Sequence, residues 1–394
     1  MGAGAAGEPG YAQALRALSQ GTSDTLDEVL ARACETLPAW DPVVYLVDFS
    51  RQALLPLTPG MTREEVEGTL PGRSFTTGQP VTADRDGTTR VWVPVVEHTT
   101  RTGVLAMTVA DSGEDSGSED LLREAEQLGV FVGLVLAALS RVSDTPHMRR
   151  QGRDMSLPAT MQWDLLPPWT TSVPGALIAG ILEPAYDIAG DAFDYAADDG
   201  IIHFAIIDAM GHGIGSTLMS GLTVGAYRHA RRHGVPLEQT HVAIDEALDS
   251  YYRDASFATG IIGTLAVSTG RLDWTCAGHP PPLLLRGRKV VAELEGEPTL
   301  PFGLGSTSPW VGSRDLEPGD AVLLYTDGVV EARRPDGELF GEERLVDLLE
   351  REAAGEQPAE ELLRRLVQAV LTHQAGGLRD DATLLLLQWT GLRE

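Results

Sequence analysis

Four aspartates of this chain stand where runs of strand-forming residues begin or end: Asp191 in AGDAFD, Asp208 closing IIHFAIID, Asp327 after LLYT, and Asp380 ahead of DATLLLL. Aspartate is a poor strand former and a good turn residue, so each carboxylate is expected at a sheet edge beside a loop. Carboxylates gathered in one site cannot all stay charged unless cations offset them. A ligand set made only of oxygen suits hard cations such as Mg²⁺ or Mn²⁺. That combination points to a two-metal hydrolase acting on a phosphate ester. Taken singly, an Asp in a Gly-rich turn is more often a turn residue bonded to nearby backbone. Four of them, in order within one domain-sized region, carry the reading.

Five segments run in order around these aspartates: Pro184 to Asp194 (PAYDIAGDAFD), Asp208 to Gly213 (DAMGHG), Gly278 to Pro281 (GHPP), Leu300 to Leu304 (LPFGL) with Leu324 to Glu331 (LYTDGVVE), and Asp380 to Thr383 (DDAT). Together, over roughly residues 170 to 390, they resemble the signatures of the SpoIIE-like (RsbU-like) serine/threonine phosphatases of the metal-dependent type 2C superfamily. The resemblance implies an α-β-β-α sandwich and two or more Mn²⁺ or Mg²⁺ ions. It implies Asp191 and Asp208 as bridging or direct ligands, the Ala209 backbone carbonyl as another, and Asp327 and Asp380 at the remaining positions. Those four aspartates are the expected catalytic set. Asp381 is expected to hydrogen-bond beside them, and Asp187 and Asp194 to support the turn. The implied substrate is a phosphorylated anti-sigma-factor antagonist of bacterial partner switching.

The chemistry expected of this set is in-line attack on phosphorus by a hydroxide that the cations generate, with the serine or threonine oxygen leaving. Neither a reactive-cysteine loop nor a Ser/His/Asp arrangement is present, so no covalent phosphoenzyme is expected. In the wider superfamily a histidine two residues after the metal-binding Asp can protonate the leaving group. Here that place holds Met210, and His212 follows beyond Gly211. Holding the turn is its expected role, with general acid as the alternative. Gly190, Gly211, Gly213 and Gly328 should permit tight backbone near metal or phosphate. His279 reads as a hairpin-turn residue.

The chain has 394 residues, 43% of them hydrophobic, and a net charge of −27. Length predicts two or three domains. An acidic surface repels nucleic acid and anionic lipid. Cys34 and Cys276 fall in different expected domains, so no disulfide framework is expected. MGAGAAGEPG has neither the basic nor the apolar part of a signal peptide, Ala6 breaks the myristoylation pattern, and the apolar run Val130 to Leu139 is too short to cross a bilayer. A cytoplasmic location is the expectation.

The fold class expected is α+β. Residues 1–10 are Gly/Ala-rich and expected to be disordered. Residues 11–142 read as helix, helix, strands, helix, with Thr25 and Glu28 at capping-box spacing. Through Gly72 to Val81 and Val91 to Val95 this block resembles a GAF domain, an α/β sensor or dimerising scaffold with or without a small ligand. Residues 143–169 form a linker in which Pro146 and Pro158 exclude one continuous helix, with a short helix expected after Pro158. In residues 170–394 strands are expected at 175–183, 192–196, 201–208, 259–268, 271–277, 282–285, 289–294, 320–326 and 382–389. Helices are expected at 214–232, 237–254, 341–352 and 359–373. Consecutive strands outnumber strand–helix alternations, which suits two antiparallel sheets with helices outside. A homodimer is expected, that being the commonest oligomer. The helix after the second motif, with Leu218, Met219, Leu222, Val224 and Tyr227, is either its controlling face or ordinary core. Two rival readings are an inactive ligand-sensing adaptor, opposed by the intact aspartates, and a phosphatase of small metabolites, opposed by the scarcity of Lys and Arg near the motifs, Arg379 being nearest.

Overall fold

In a computed structural model of the chain, the residues described are 37–58, 60–110, 117–187, 190–252, 256–355, 357–375 and 380–392. The expectations on residues 1–10, Thr25, Glu28, Cys34 and Arg379 fall outside them. The chain forms two compact units that divide between Asp154 and Met155, inside the stretch read as a linker.

The N-terminal unit is a six-stranded antiparallel sheet with helices. Its elements are β1 (Ala39–Val47), β2 (Ala53–Pro56), β3 (Glu64–Glu65), α1 (Leu70–Thr77), β4 (Val81–Arg85), β5 (Thr88–Glu97), β6 (Thr100–Ala110), α2 (Gly117–Ser140) and α3 (Thr145–Arg150). The strand order is β3-β2-β1-β6-β5-β4. Leu128, Val132, Val135 and Leu139 follow helical spacing along α2 and meet Val93, Val95 and Leu105 of the sheet. At Gly133 a Cβ would stand 2.0 Å from the Val96 carbonyl oxygen, so only glycine lets α2 seat this closely on β5.

The C-terminal unit opens with α4 (Leu157–Leu165), β7 (Thr170–Val173), β8 (Ala176–Glu183), β9 (Asp191–Asp198) and β10 (Ile201–Ala209). Next come α5 (Ile214–Arg232), α6 (Leu237–Tyr251), β11 (Ala258–Ala266), β12 (Arg271–Ala277), β13 (Leu283–Arg286), β14 (Lys289–Glu293) and β15 (Gly312–Asp315). It closes with β16 (Ala321–Tyr325), α7 (Asp327–Val330), α8 (Glu342–Ala353), α9 (Ala359–His373) and β17 (Ala382–Trp389). Helix α4 is the short helix expected at Pro158, and the linker holds no continuous helix. Pro158 sits in the first helical turn, where a missing N–H breaks no bond, and Ser156 caps the helix by accepting from the Ala159 N–H.

Two antiparallel sheets result, β15-β12-β11-β10-β9 and β14-β13-β16-β17-β8-β7. Met219, Val224 and Tyr227 of α5 and Ile244 and Leu248 of α6 pack on the first. Leu345 and Leu349 of α8 and Leu363, Leu366 and Val370 of α9 pack on the second. The sheets face each other: a Cβ at Gly180 of β8 would stand 2.6 Å from the Phe193 ring of β9. This is the expected α-β-β-α sandwich. Strand β17 lies inside the second sheet, and Leu384 to Leu387 are buried on both of its faces, which is why it reads as one apolar run without alternation. Strands β7 and β15 are short edge strands with largely polar sequences, TTSV and GSRD, and carry no such signal.

Candidate metal centre

The first sheet contributes two of the aspartates. Asp191 opens β9, Asp208 stands next to last in β10, and the two are direct cross-strand partners. Like charges in that relation are destabilising. The second sheet contributes the rest. Asp327 opens α7 just after β16, and Asp380 precedes β17, the neighbour of β16. Each sits where an apolar strand meets a loop, as the sequence expects.

Asp191 is 2% exposed and is gripped from the opposite sheet. The hydroxyls of Thr326 and Thr383 each donate to its Oδ2 at 2.7 Å. The Thr383 N–H donates to the Thr326 hydroxyl at 2.9 Å, so the two threonines hold each other. The Asp191 N–H donates to Asp381 Oδ2 at 3.3 Å, the neighbouring role expected of Asp381. From α4, the Gln162 side-chain amide donates to the Asp191 backbone carbonyl, while its oxygen accepts from Ser220 of α5 at 3.5 Å.

The carboxylates perturb one another. Burial, then Asp208, then Asp381 push Asp191 well above the ordinary carboxylate range, against the two threonine hydroxyls. Asp208 is pushed up to about 7 by burial and then by Asp327, Asp380 and Asp381. Asp327 is raised by burial, then by Asp380 and Glu331, against a bond from the Gly328 N–H. Negative charge is therefore concentrated here without a compensating cationic side chain among these causes.

Two glycines keep the centre tight. A Cβ at Gly190 would stand 3.0 Å from the Ala209 carbonyl oxygen and 3.7 Å from that of Gly211, so glycine lets this segment lie close against the end of β10. At Gly328 a Cβ would fall 1.8 Å from the Asp381 carbonyl, so only glycine lets α7 start against that segment. Among the described residues, no three His, Cys, Asp or Glu side chains are assembled as a ready cation cage. The aspartates are electrostatic neighbours rather than converged ligands. An all-oxygen set whose carboxyls are raised by burial and by one another fits a hard divalent cation, which would offset the clustered charge.

Other residues of the motifs are placed elsewhere. Asp187 is exposed. Asp194 is buried and takes Arg228 at 2.6 Å and Arg231 at 2.8 Å, both from α5. His212 is exposed and makes no hydrogen bond to a described residue. His279 is buried with its Nδ1 2.9 Å from the Thr259 hydroxyl, a structural place. Sequence reasoning missed Gln162, Thr326 and Thr383. The threonines sit in motifs already singled out, beside Asp327 and two residues beyond Asp381, and a hydroxyl next to a buried carboxylate is the signal that finds them.

The model of the family described as Stage II sporulation protein E (SpoIIE) matches residues 198–390. Phosphoserine phosphatase RsbU of Bacillus subtilis (strain 168) is 25% identical over 213 residues, 54% of this chain and 62% of that protein. A crystal structure of the RsbU and RsbW domains of Rv1364c from Mycobacterium tuberculosis is similar at 29% identity and a TM-score of 0.50, over 56% of this chain and 62% of that one. The SiaA-PP2C domain of Pseudomonas aeruginosa shares the fold at 22% identity and a TM-score of 0.51, over 59% of this chain and 94% of that one. The chain spans between 37% and 62% of the length of the curated relatives it matches.

Proposed function

Residues 198–390 belong to the SpoIIE family, and from that premise we propose that the C-terminal unit is a metal-dependent hydrolase of phosphoserine or phosphothreonine esters on proteins. The observation that carries this reading is the placement of Asp191 directly opposite Asp208 on β9 and β10, with Asp191 bonded to Thr326, Thr383 and Asp381, close sequence neighbours of Asp327 and Asp380 on the other sheet. Asp191, Asp208, Asp327 and Asp380, with the Ala209 carbonyl, would hold two or more Mg²⁺ or Mn²⁺ ions. When bound, those ions supply Lewis acidity at the phosphoryl group and acidify water.

The chain's own residues do the positioning. Thr326 and Thr383 orient the Asp191 carboxylate, and Asp381 and Gln162 fix its backbone on either side. Gly190 lets its segment lie close against the Ala209 carbonyl, where a Cβ would stand 3.0 Å from the oxygen. The substrate we favour is a phosphorylated anti-sigma-factor antagonist, in line with the RsbU-like relatives. The N-terminal unit is read as a GAF-like sensor that regulates this activity, acting in a homodimer. Among the described residues no helix is long and apolar enough to cross a membrane.

The test adds the purified full chain and Mn²⁺ to a cell extract and measures which phosphoproteins lose phosphate. Loss from a small set, abolished by chelator and by Asp208→Asn, is expected. Full activity of Asp208→Asn would falsify the assignment.

A further inference from the structure

One face of α5 is bare beside the carboxylates. Met210, Ile214 and Leu218 follow one another at four-residue spacing and are 45%, 50% and 52% exposed. Ile214 and Leu218 lie one turn apart and share a face of the helix. Met210 stands two residues after Asp208, its N–H bonded to the Phe257 carbonyl at 3.1 Å. Beyond Phe257, Ala258 bridges to Phe302, and exposed Leu304 follows two residues later. The opposite face of α5 supplies Met219, Val224 and Tyr227 to the core, so the outward residues are not core. Further along, Gly221 and Gly225 leave open space where a Cβ would stand, and glycine inside a helix costs about 1 kcal/mol against alanine.

The stretch that leads to Asp208 and on through α5 to Tyr227 offers no permanently charged basic side chain to an anion. Residues 214–227 contain no charged side chain, and no Lys or Arg occurs anywhere in residues 154–227. At a net charge of −27 the protein repels anionic ligands at a distance. Exposed apolar side chains grouped beside a reaction centre are suited to an interaction site.

We propose that Met210, Ile214 and Leu218, with Leu304 across Phe257, form a docking shelf for the protein part of the substrate: a folded phosphoprotein that presents an uncharged, apolar face next to its phosphorylated residue. This rests on the phosphatase reading above. A macromolecule whose phosphoester reaches Asp191 and Asp208 lies over Met210 and the first turn of α5, because those residues follow Asp208 directly in the chain. With no basic side chain in that stretch to draw in phosphate, apolar burial provides the discrimination between this substrate and free phosphate esters.

The experiment is steady-state kinetics at saturating Mn²⁺ on the full chain and on the double variant Ile214→Ser with Leu218→Ser, whose exposed positions spare the core. Two substrates are compared: p-nitrophenyl phosphate, and a folded anti-sigma-factor antagonist domain phosphorylated on serine. The variant should raise KM for the phosphoprotein by about tenfold, the loss expected from two half-exposed aliphatic contacts. It should leave kcat within about twofold and leave aryl-phosphate kinetics unchanged. Equal losses on both substrates, or no change on either, overturn the shelf while the phosphatase reading stands. A change from dimer to monomer in sedimentation, with the phosphoprotein KM unchanged, gives the face to self-association and also overturns it. Wild-type protein inert toward both substrates fails at the earlier step and overturns both readings.

Discussion

Two aspartates three residues apart on strand β9 meet opposite surroundings. Asp191 faces the second sheet, with Asp208 beside it on β10 and Asp381 across from it, and among the described residues its side-chain donors are two threonine hydroxyls. Asp194 faces α5, where Arg228 and Arg231 close on both of its oxygens, and Arg228 also caps the end of α4 through the Leu165 carbonyl. An odd spacing on a strand sends side chains to opposite faces, so one short segment serves both. On the helix side the buried charge is compensated inside the chain. On the inter-sheet side like charges collect, and their compensation has to come from outside it. The first arrangement builds stability, and the second is the one we propose as the cation site.

The largest effect should come from the uncompensated side. Asp208→Asn should cut turnover of a phosphoprotein by about 10³-fold or more. The same change removes a like charge, so in chelator the variant should melt no lower than wild type. A large loss of both activity and melting temperature would make Asp208 structural and break the comparison.

Asp194→Ala reverses the pattern. It leaves two arginines without their carboxylate, one of them, Arg231, 10% exposed in its side chain. Breaking a buried pair costs about 3 kcal/mol at the low end of the usual range. Thermal unfolding should move down by several degrees while Mn²⁺ binding persists. Loss of Mn²⁺ binding in folded Asp194→Ala protein would place it with Asp191 instead.

The aspartates were legible because each interrupts an apolar run that can only be a strand, and β10, β16 and β17 form where those runs stand. The supporting shell was not. Gln162 lies in the short helix expected after Pro158, but nothing in that linker stretch tells that its amide reaches the Asp191 carbonyl. Strands β7 and β15 are edge strands whose exposed faces carry no alternation. The apolar stripe on α5 reads the same from sequence whether it faces in or out. Only the fold separates buried Met219, Val224 and Tyr227 from exposed Leu218. Asp194 looks like its neighbours in the motif until two arginines more than 30 residues away are brought onto it.

Smaller effects test the shell. Thr383→Val removes one donor to Asp191 Oδ2 and should weaken Mn²⁺ binding by about tenfold, read from the Mn²⁺ dependence of turnover. Unchanged Mn²⁺ dependence would separate that hydroxyl from the site.

The smallest effect is in pH. Burial lowers His241 to about 4, against the pull of Asp245. A base whose folded pKa is depressed binds fewer protons folded than unfolded between about 4 and 6.5. Its contribution is intact above that window and is lost as pH falls through it. Between pH 6.5 and 5.5 the loss is about 1 kcal/mol for one such histidine. His241→Gln should therefore show a shallower fall in melting temperature over that interval. An equal fall would assign the acid sensitivity to other groups, His279 first, which burial also lowers to about 4.

Calorimetric titration of Mn²⁺ into the metal-free full chain tests the central contrast most directly. Wild type and Asp194→Asn should bind Mn²⁺, with the folded protein stabilised by it, and Asp208→Asn and Asp191→Asn should lose that binding. Undiminished Mn²⁺ binding by Asp191→Asn and Asp208→Asn, or its loss in Asp194→Asn while folded, would contradict the account.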